Sequence, residues 1–166
     1  MLSKYNELQD KWLNNQLIGL DVIIAKSGVV TPINIEYMEN DSLTHTFGKE
    51  YSISYGNNST LEALFDNYDE PWSEIQVNDQ ILINNDCFIL CGEGEMGSEG
   101  FIVKTDINSN ITWMLYSTIS NPFVNIKTMG DIVYVQSSAN FYVAVNPIGD
   151  SVSIVNENIQ NRLKQS

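Results

Sequence analysis

The chain has 166 residues, 43% of them hydrophobic and 17% charged, and its apolar runs are far shorter than the roughly 20 consecutive residues a membrane-spanning helix requires. A chain of this length buries about 70% of the surface its unfolded form exposes, so one compact domain over 1–166 is expected without a metal or disulfide staple. With 21 acidic and 8 basic side chains the formal net charge is −13. That field repels phosphate backbones and anionic lipid, so neither nucleic acid nor membrane is an expected partner, and it speeds encounter with a basic protein.

The N-terminal run MLSKYNELQDKWLNNQ is polar and lacks the uninterrupted apolar stretch and cleavage site of a secretory signal, which points to a cytoplasmic address. Ser3 is a good N-cap, and Tyr5, Leu8 and Trp12 recur at helical spacing, predicting a helix over residues 1–16 whose apolar face packs on a sheet. From residue 17 the pattern becomes β: residues 20–26, 33–38 and 50–55 read as strands punctuated by Ser27-Gly28, Asn40-Asp41 and Gly56-Asn57. Within this β-rich first half, 17–76, the run Ser59-Thr60-Leu61-Glu62 forms a capping box that starts a short helix over about 59–67. The alternative is a longer excursion in which Asp66, Asp69 and Glu70 form an acidic loop beside Trp72.

Residues 77–156 are almost continuously β, and two stretches echo one another. Placing GFIVKTDINSNITWML over NFYVAVNPIGDSVSIV aligns Phe101 with Phe141, Val103 with Val143, Asp106 with Asn146 and Asn110 with Asp150. Each is a propeller-blade-like hairpin unit, but two units cannot close a ring that needs about four blades. The expected fold is therefore mainly β (α+β): stacked or fused antiparallel meander sheets, covered by the N-terminal helix, with one short internal helix. The tail, 157–166, offers a peripheral helical segment with Ile159 and Leu163 on one side.

Cys87 and Cys91 lie four residues apart on one strand, hence about 13 Å apart, too far for a disulfide. They are expected as core thiols on one face, in keeping with a reducing compartment.

Few groups point to catalysis. Gly92-Glu93-Gly94-Glu95-Met96-Gly97 spells a dinucleotide fingerprint, but the loop carries Glu93, Glu95 and Glu99 and leads into a strand, not a helix. A bulged hairpin loop is the better reading. Asp106 to Ile111 resembles the start of a calcium loop yet has Ile111 where the sharp-turn glycine belongs and Ser117 where the bidentate acid belongs. Asx turn chemistry accounts for it. His45 is the single histidine, with no nucleophile motif beside it. No catalytic residue, cofactor or metal is expected.

What remains is acid gathered in loops between nearly neutral strands: Glu93, Glu95 and Glu99 around Met96, and Asp66, Asp69 and Glu70 beside Trp72. Carboxylates around an exposed apolar centre suit a Lys/Arg-rich protein surface, the charges steering and the centre excluding water.

The segment from Val77 to Pro147, with its EGEMGSEGFIVKTD loop and hairpin, ITW strand and Ser120-Asn121-Pro122-Phe123 turn, resembles small acidic immunity proteins of bacterial polymorphic toxin systems, including contact-dependent growth inhibition. The resemblance is at class level and covers less than half of the chain. It implies an antitoxin that binds the C-terminal domain of a cognate toxin one-to-one and blocks its active site or its access to substrate. Many such toxins are basic nucleases, for which an acidic protein imitates a phosphate surface. Two other readings stay open: a β-rich domain recognising a carbohydrate or peptide through Trp72 and Trp113, and a hydrolase using an acidic pair.

Overall fold

The computed structural model describes residues 3–159. The first helix, α1 (Ser3–Leu13), buries Leu8 completely and packs Tyr5 and Trp12 against the same core. Its expected apolar face is the one it uses. The helix stops short of residue 16 because Asn15 takes a left-handed conformation, φ 61°, which ends a helix and frees the following residues to extend. These form β1 (Gln16–Ile18), a short strand that starts where the helix was expected to end and precedes the first expected strand, 20–26. The Ser3 side chain and residues 160–166 lie outside the described residues, as does the tail's helical segment beyond Ile159.

The next elements are β2 (Val22–Ala25), β3 (Val29–Glu39), β4 (Lys49–Tyr55) and β5 (Ser59–Thr60), followed by α2 (Leu61–Asn67). The cap of α2 is Thr60, whose hydroxyl accepts from the Ala63 amide at 3.2 Å. Ser59 instead pairs with Val30, so the cap falls one residue later than expected and, with Ala63 at the third helical position, the reciprocal bond of a capping box is replaced by a one-sided cap. β6 (Trp72–Glu74) pairs with β1, and β7 (Gln76–Ile83), β8 (Cys87–Glu93), β9 (Gly100–Asp106) and β10 (Ile111–Ser117) form one meander.

A second meander comprises β11 (Phe123–Met129), β12 (Ile132–Ser137), β13 (Tyr142–Val145) and β14 (Val152–Val155). Among the described residues three antiparallel sheets result: the pair β1–β6, an eight-stranded sheet in the order β4-β3-β2-β10-β9-β8-β7 with β5 beside β3, and the four-stranded β11-β12-β13-β14. The mainly β, antiparallel architecture expected of the sequence is present, and the echoing hairpins are β9–β10 and β13–β14. Lys104 of β9 ties the two together through a 2.9 Å ion pair with Asp150.

Strand periodicity sorts the central side chains into two cores. Phe101, Val103, Met114 and Tyr116 face the helices with Leu8, Leu61 and Leu64. Ile102, Trp113, Leu115, Ile89 and Cys91 face the four-stranded sheet, meeting Phe123, Val135, Phe141 and Val143. Strands β8 to β10 are buried on both faces, which is why they appear as continuous apolar runs in the sequence. Both cysteines are buried free thiols, and burial, reinforced by the nearby Asp79 charge, pushes the Cys91 pKa up to about 12. Ile159 is not peripheral: it is fully buried against Tyr134 and Tyr142 on the outer face of the small sheet.

Two side-chain amides complete strands where no neighbour exists. Gln9 of α1 both accepts from the Ile111 amide and donates to its carbonyl, each at 2.8 Å, anchoring the helix at the start of β10. Asn156 does the same for Tyr51 at the edge strand β4, at 2.8 and 3.0 Å.

Candidate functional site

The pairing of β1 with β6 brings the second half of the expected site into place. After α2 the chain turns through residues 68–71, where the buried Pro71 presents its carbonyl to the Gly19 amide at 2.7 Å. Trp72 and Ser73 then lie alongside Ile18 and Leu17. The approach is close: a Cβ on Gly19 would stand 2.7 Å from Ser73 Cβ.

The β8–β9 loop, residues 94–99, comes up against this strand. The Glu95 amide donates to Ser73 Oγ at 3.3 Å, and Glu95 Oε1 accepts from the Glu74 amide at 3.0 Å. Tyr116, fully buried on β10, donates to Glu99 Oε1 at 2.5 Å, and its oxygen lies 2.8 Å from Ser73 Oγ. Burial above all, then the bond to Glu99, pushes the Tyr116 pKa well above the ordinary phenol value. It remains a proton donor at neutral pH and holds Glu99 as an acceptor.

Between the two segments lies an open groove of about 430 Å³. Asp69, Glu70 and Trp72 line one side and Glu95, Met96 and Glu99 the other, and none of the lining residues is basic. Met96 is 64% exposed, so an apolar surface is available among the carboxylates. Lys11 reaches Trp72 from α1, its Nζ 5.2 Å from the ring centroid, a cation–π contact beside the groove.

Six of the eight residues singled out from the sequence thus meet. The other two do not line the groove. Glu93 ends β8 in phase with Ile89 and Cys91, on the face toward the small sheet, and accepts there from Asn78 Nδ2 at 3.3 Å. Asp66 is exposed on α2. Sequence reasoning passed over Ser73, Tyr116 and Gly19. The available signal was Tyr116 itself, a polar tip in the inward phase of an apolar strand, which demands a buried partner.

The other motifs resolve as turns. The loop of the glycine-rich motif leads into β9, as a hairpin loop does, rather than opening a helix. The Asp106 carboxylate accepts from the amides of Asn108 at 2.8 Å and Asn110 at 3.0 Å within its own hairpin. His45 sits in a single 3-10 turn, Thr44–Thr46, stacked on Tyr142 with ring centroids 5.8 Å apart. Among the described residues no group of three or more His, Cys, Asp or Glu side chains is placed to hold a metal ion, and no helix is long and apolar enough to cross a membrane.

Trp113 is 2% exposed between the sheets, which removes it from any aromatic recognition groove. Glu95 and Glu99 both line the acidic groove, yet each already accepts a hydrogen bond from its own chain. A second cleft, of about 240 Å³, opens at the end of the sandwich between Ile83 and Ile132; Cys87 lines it, but none of the eight expected partner-binding residues does. No family model matches this chain, and no curated protein or solved structure shows significant similarity to it.

Proposed function

We propose that this chain is an immunity protein that binds a basic toxin domain one-to-one through the acidic groove. One observation carries the reading: Asp69, Glu70 and Trp72 share a groove with Glu95, Met96 and Glu99, more than 20 residues away in sequence, and no basic side chain lines it. Carboxylates with no basic side chain beside them in the groove lining steer an incoming cationic surface, while Trp72 and Met96 supply apolar area that excludes water once it has docked. The network of Tyr116, Ser73 and Glu99 holds the two walls at fixed separation, so less ordering is required on binding.

The test is co-expression with the product of the adjacent open reading frame, followed by stopped-flow association at several salt concentrations. Asp69 and Glu70 are exposed, so Asp69→Lys with Glu70→Lys should alter stability by no more than about 0.5 kcal/mol. Association should slow by about tenfold and lose much of its salt dependence. An unchanged rate locates the interface elsewhere, and failure of the two products to co-purify removes the toxin–immunity reading.

A further inference from the structure

The eight-stranded sheet has two edges, β4 and β7, and they are finished differently. β7 is bulged between Val77 and Asp79. Asp79 Oδ2 there accepts from the Ile126 amide at 2.8 Å, and Asn78 Nδ2 donates to the Phe123 carbonyl at 3.0 Å, so this edge is tied to β11 of the small sheet. A bulge and inward charge are the usual protections of an edge strand.

β4 lacks both. It pairs with β3 without a register shift from Lys49 to Tyr55. Its outward backbone groups at Tyr51 are occupied by the Asn156 side chain, at 2.8 and 3.0 Å. Antiparallel alternation turns the N–H and C=O of Ile53 and Tyr55 the same way, beyond the last strand. Asn156 acts there as a one-residue substitute for a neighbouring strand that the next two positions lack.

The aromatic and the acidic side chains around this edge lie on different faces, with Met38, 64% exposed, standing opposite Glu50 on the acidic one. On one face, Tyr37 and Tyr55, 50% and 52% exposed, flank the half-buried Ile53. On the other, Glu50 of β4 and Glu36 of β3 accept from the neutral amides of Asn40 at 2.7 Å and Asn34 at 3.1 Å. Lys49, the cation of β4, is turned over the Tyr37 ring at 4.6 Å.

We propose that the β4 edge is a strand-addition site for an extended partner segment that alternates apolar and basic residues. Main-chain hydrogen bonds to Ile53 and Tyr55 supply the pairing, the aromatic ledge takes the apolar side chains, and Glu50 and Glu36 take the basic ones. A second copy of this chain is the wrong occupant, because each copy brings a net charge of −13 and the same acidic face. The inference is independent of the groove.

The experiment uses the full chain, nitrogen-15 labelled, and three eight-residue peptides: alternating Lys-Val, alternating Glu-Val, and Lys-Val methylated at every backbone amide. The Lys-Val peptide should slow hydrogen exchange at the Ile53 and Tyr55 amides by about tenfold or more, and the other two should not. Ile53→Pro removes an outward amide while leaving the β3 ladder intact, and should abolish the effect. If that variant fails to fold, the methylated peptide makes the same test on the native chain. The proposal is overturned if the Lys-Val peptide leaves both amides unprotected, including when its only shifts fall at Trp72 and Glu95 in the groove. It is equally overturned if the Glu-Val peptide protects them as well, or if the chain alone sediments as a dimer with both amides already protected.

Discussion

Two neighbouring hairpin loops both carry the oxygen-rich look of a ligand site, and they use their carboxylates in opposite ways. In the β9–β10 loop Asp106 serves its own turn, accepting from the amides of Asn108 and Asn110 and from the Asn110 side chain. In the β8–β9 loop Glu95 and Glu99 accept from other elements, the Glu74 amide on β6 and the Tyr116 hydroxyl on β10. The first arrangement makes a self-contained turn, and the second makes a wall. Whether an acidic loop builds a turn or a site depends on where its hydrogen-bond partners lie in the chain, and local composition does not reveal that.

The largest expected effect tests the wall. A Cβ on Gly94 would fall 1.8 Å from Tyr116 Oη and 2.6 Å from Glu99 Oε1, whereas one on Gly97 in the same loop would meet nothing within 4 Å. Gly94→Ala must therefore displace the buried phenol, and it should lower stability by about 3 kcal/mol in urea unfolding. Gly97→Ala should remain within about 0.5 kcal/mol of the native chain. Equal effects would mean that the loop is not fastened through Tyr116.

A smaller loss is expected of Tyr116→Phe, which keeps the ring and deletes the donor to Glu99. Leaving a half-buried carboxylate without its partner should cost about 2 kcal/mol. The signature that separates this from simple loss of packing is local: amide exchange should quicken in residues 94–99 and leave residues 106–110 unchanged. Uniform acceleration across both loops would refute the division between them.

The same division explains what could be read from the sequence. Strands β7 to β14 and the burying face of α1 follow from each element's own side chains, as alternation or helical spacing or, in β8 to β10, as continuous apolar runs bounded by turn residues. The groove was visible only as its separate ingredients. Asp69, Glu70 and Trp72 meet Glu95, Met96 and Glu99 through the pairing of β1 with β6, two three-residue strands too short for a hydrophobic period to reveal. Glu93 was grouped with the loop because a charged residue after Gly92 looks like loop sequence, yet β8 continues through it and its strand phase turns it away. The G-x-G spacing likewise had a packing cause: a Cβ on Gly92 would lie 1.9 Å from the Gln76 carbonyl oxygen, so the first two glycines admit a neighbouring strand and a phenol rather than a phosphate.

The smallest expected effect lies in the self-contained loop and is a matter of pH. The Asn110 amide above all, aided by the Asn110 side chain, the Asn108 amide and the charge of Lys26, holds the Asp106 pKa below its ordinary value, against desolvation, the second-largest influence. A depressed carboxylate stabilises the folded loop above its unfolded pKa and loses that contribution as pH falls through the folded one. Asp106 is half-buried at the mouth of an exposed loop, 107–110, so solvent screening keeps the effect on global stability small. The measurement is local: in an NMR titration the Asn108 and Asn110 amides should shift together, with a midpoint below the usual aspartate range, and Asp106→Asn should remove the transition without slowing or quickening exchange in residues 94–99. If acidification instead moved both loops at one midpoint, the carboxylates would form one coupled cluster, and the distinction between turn and wall would fail.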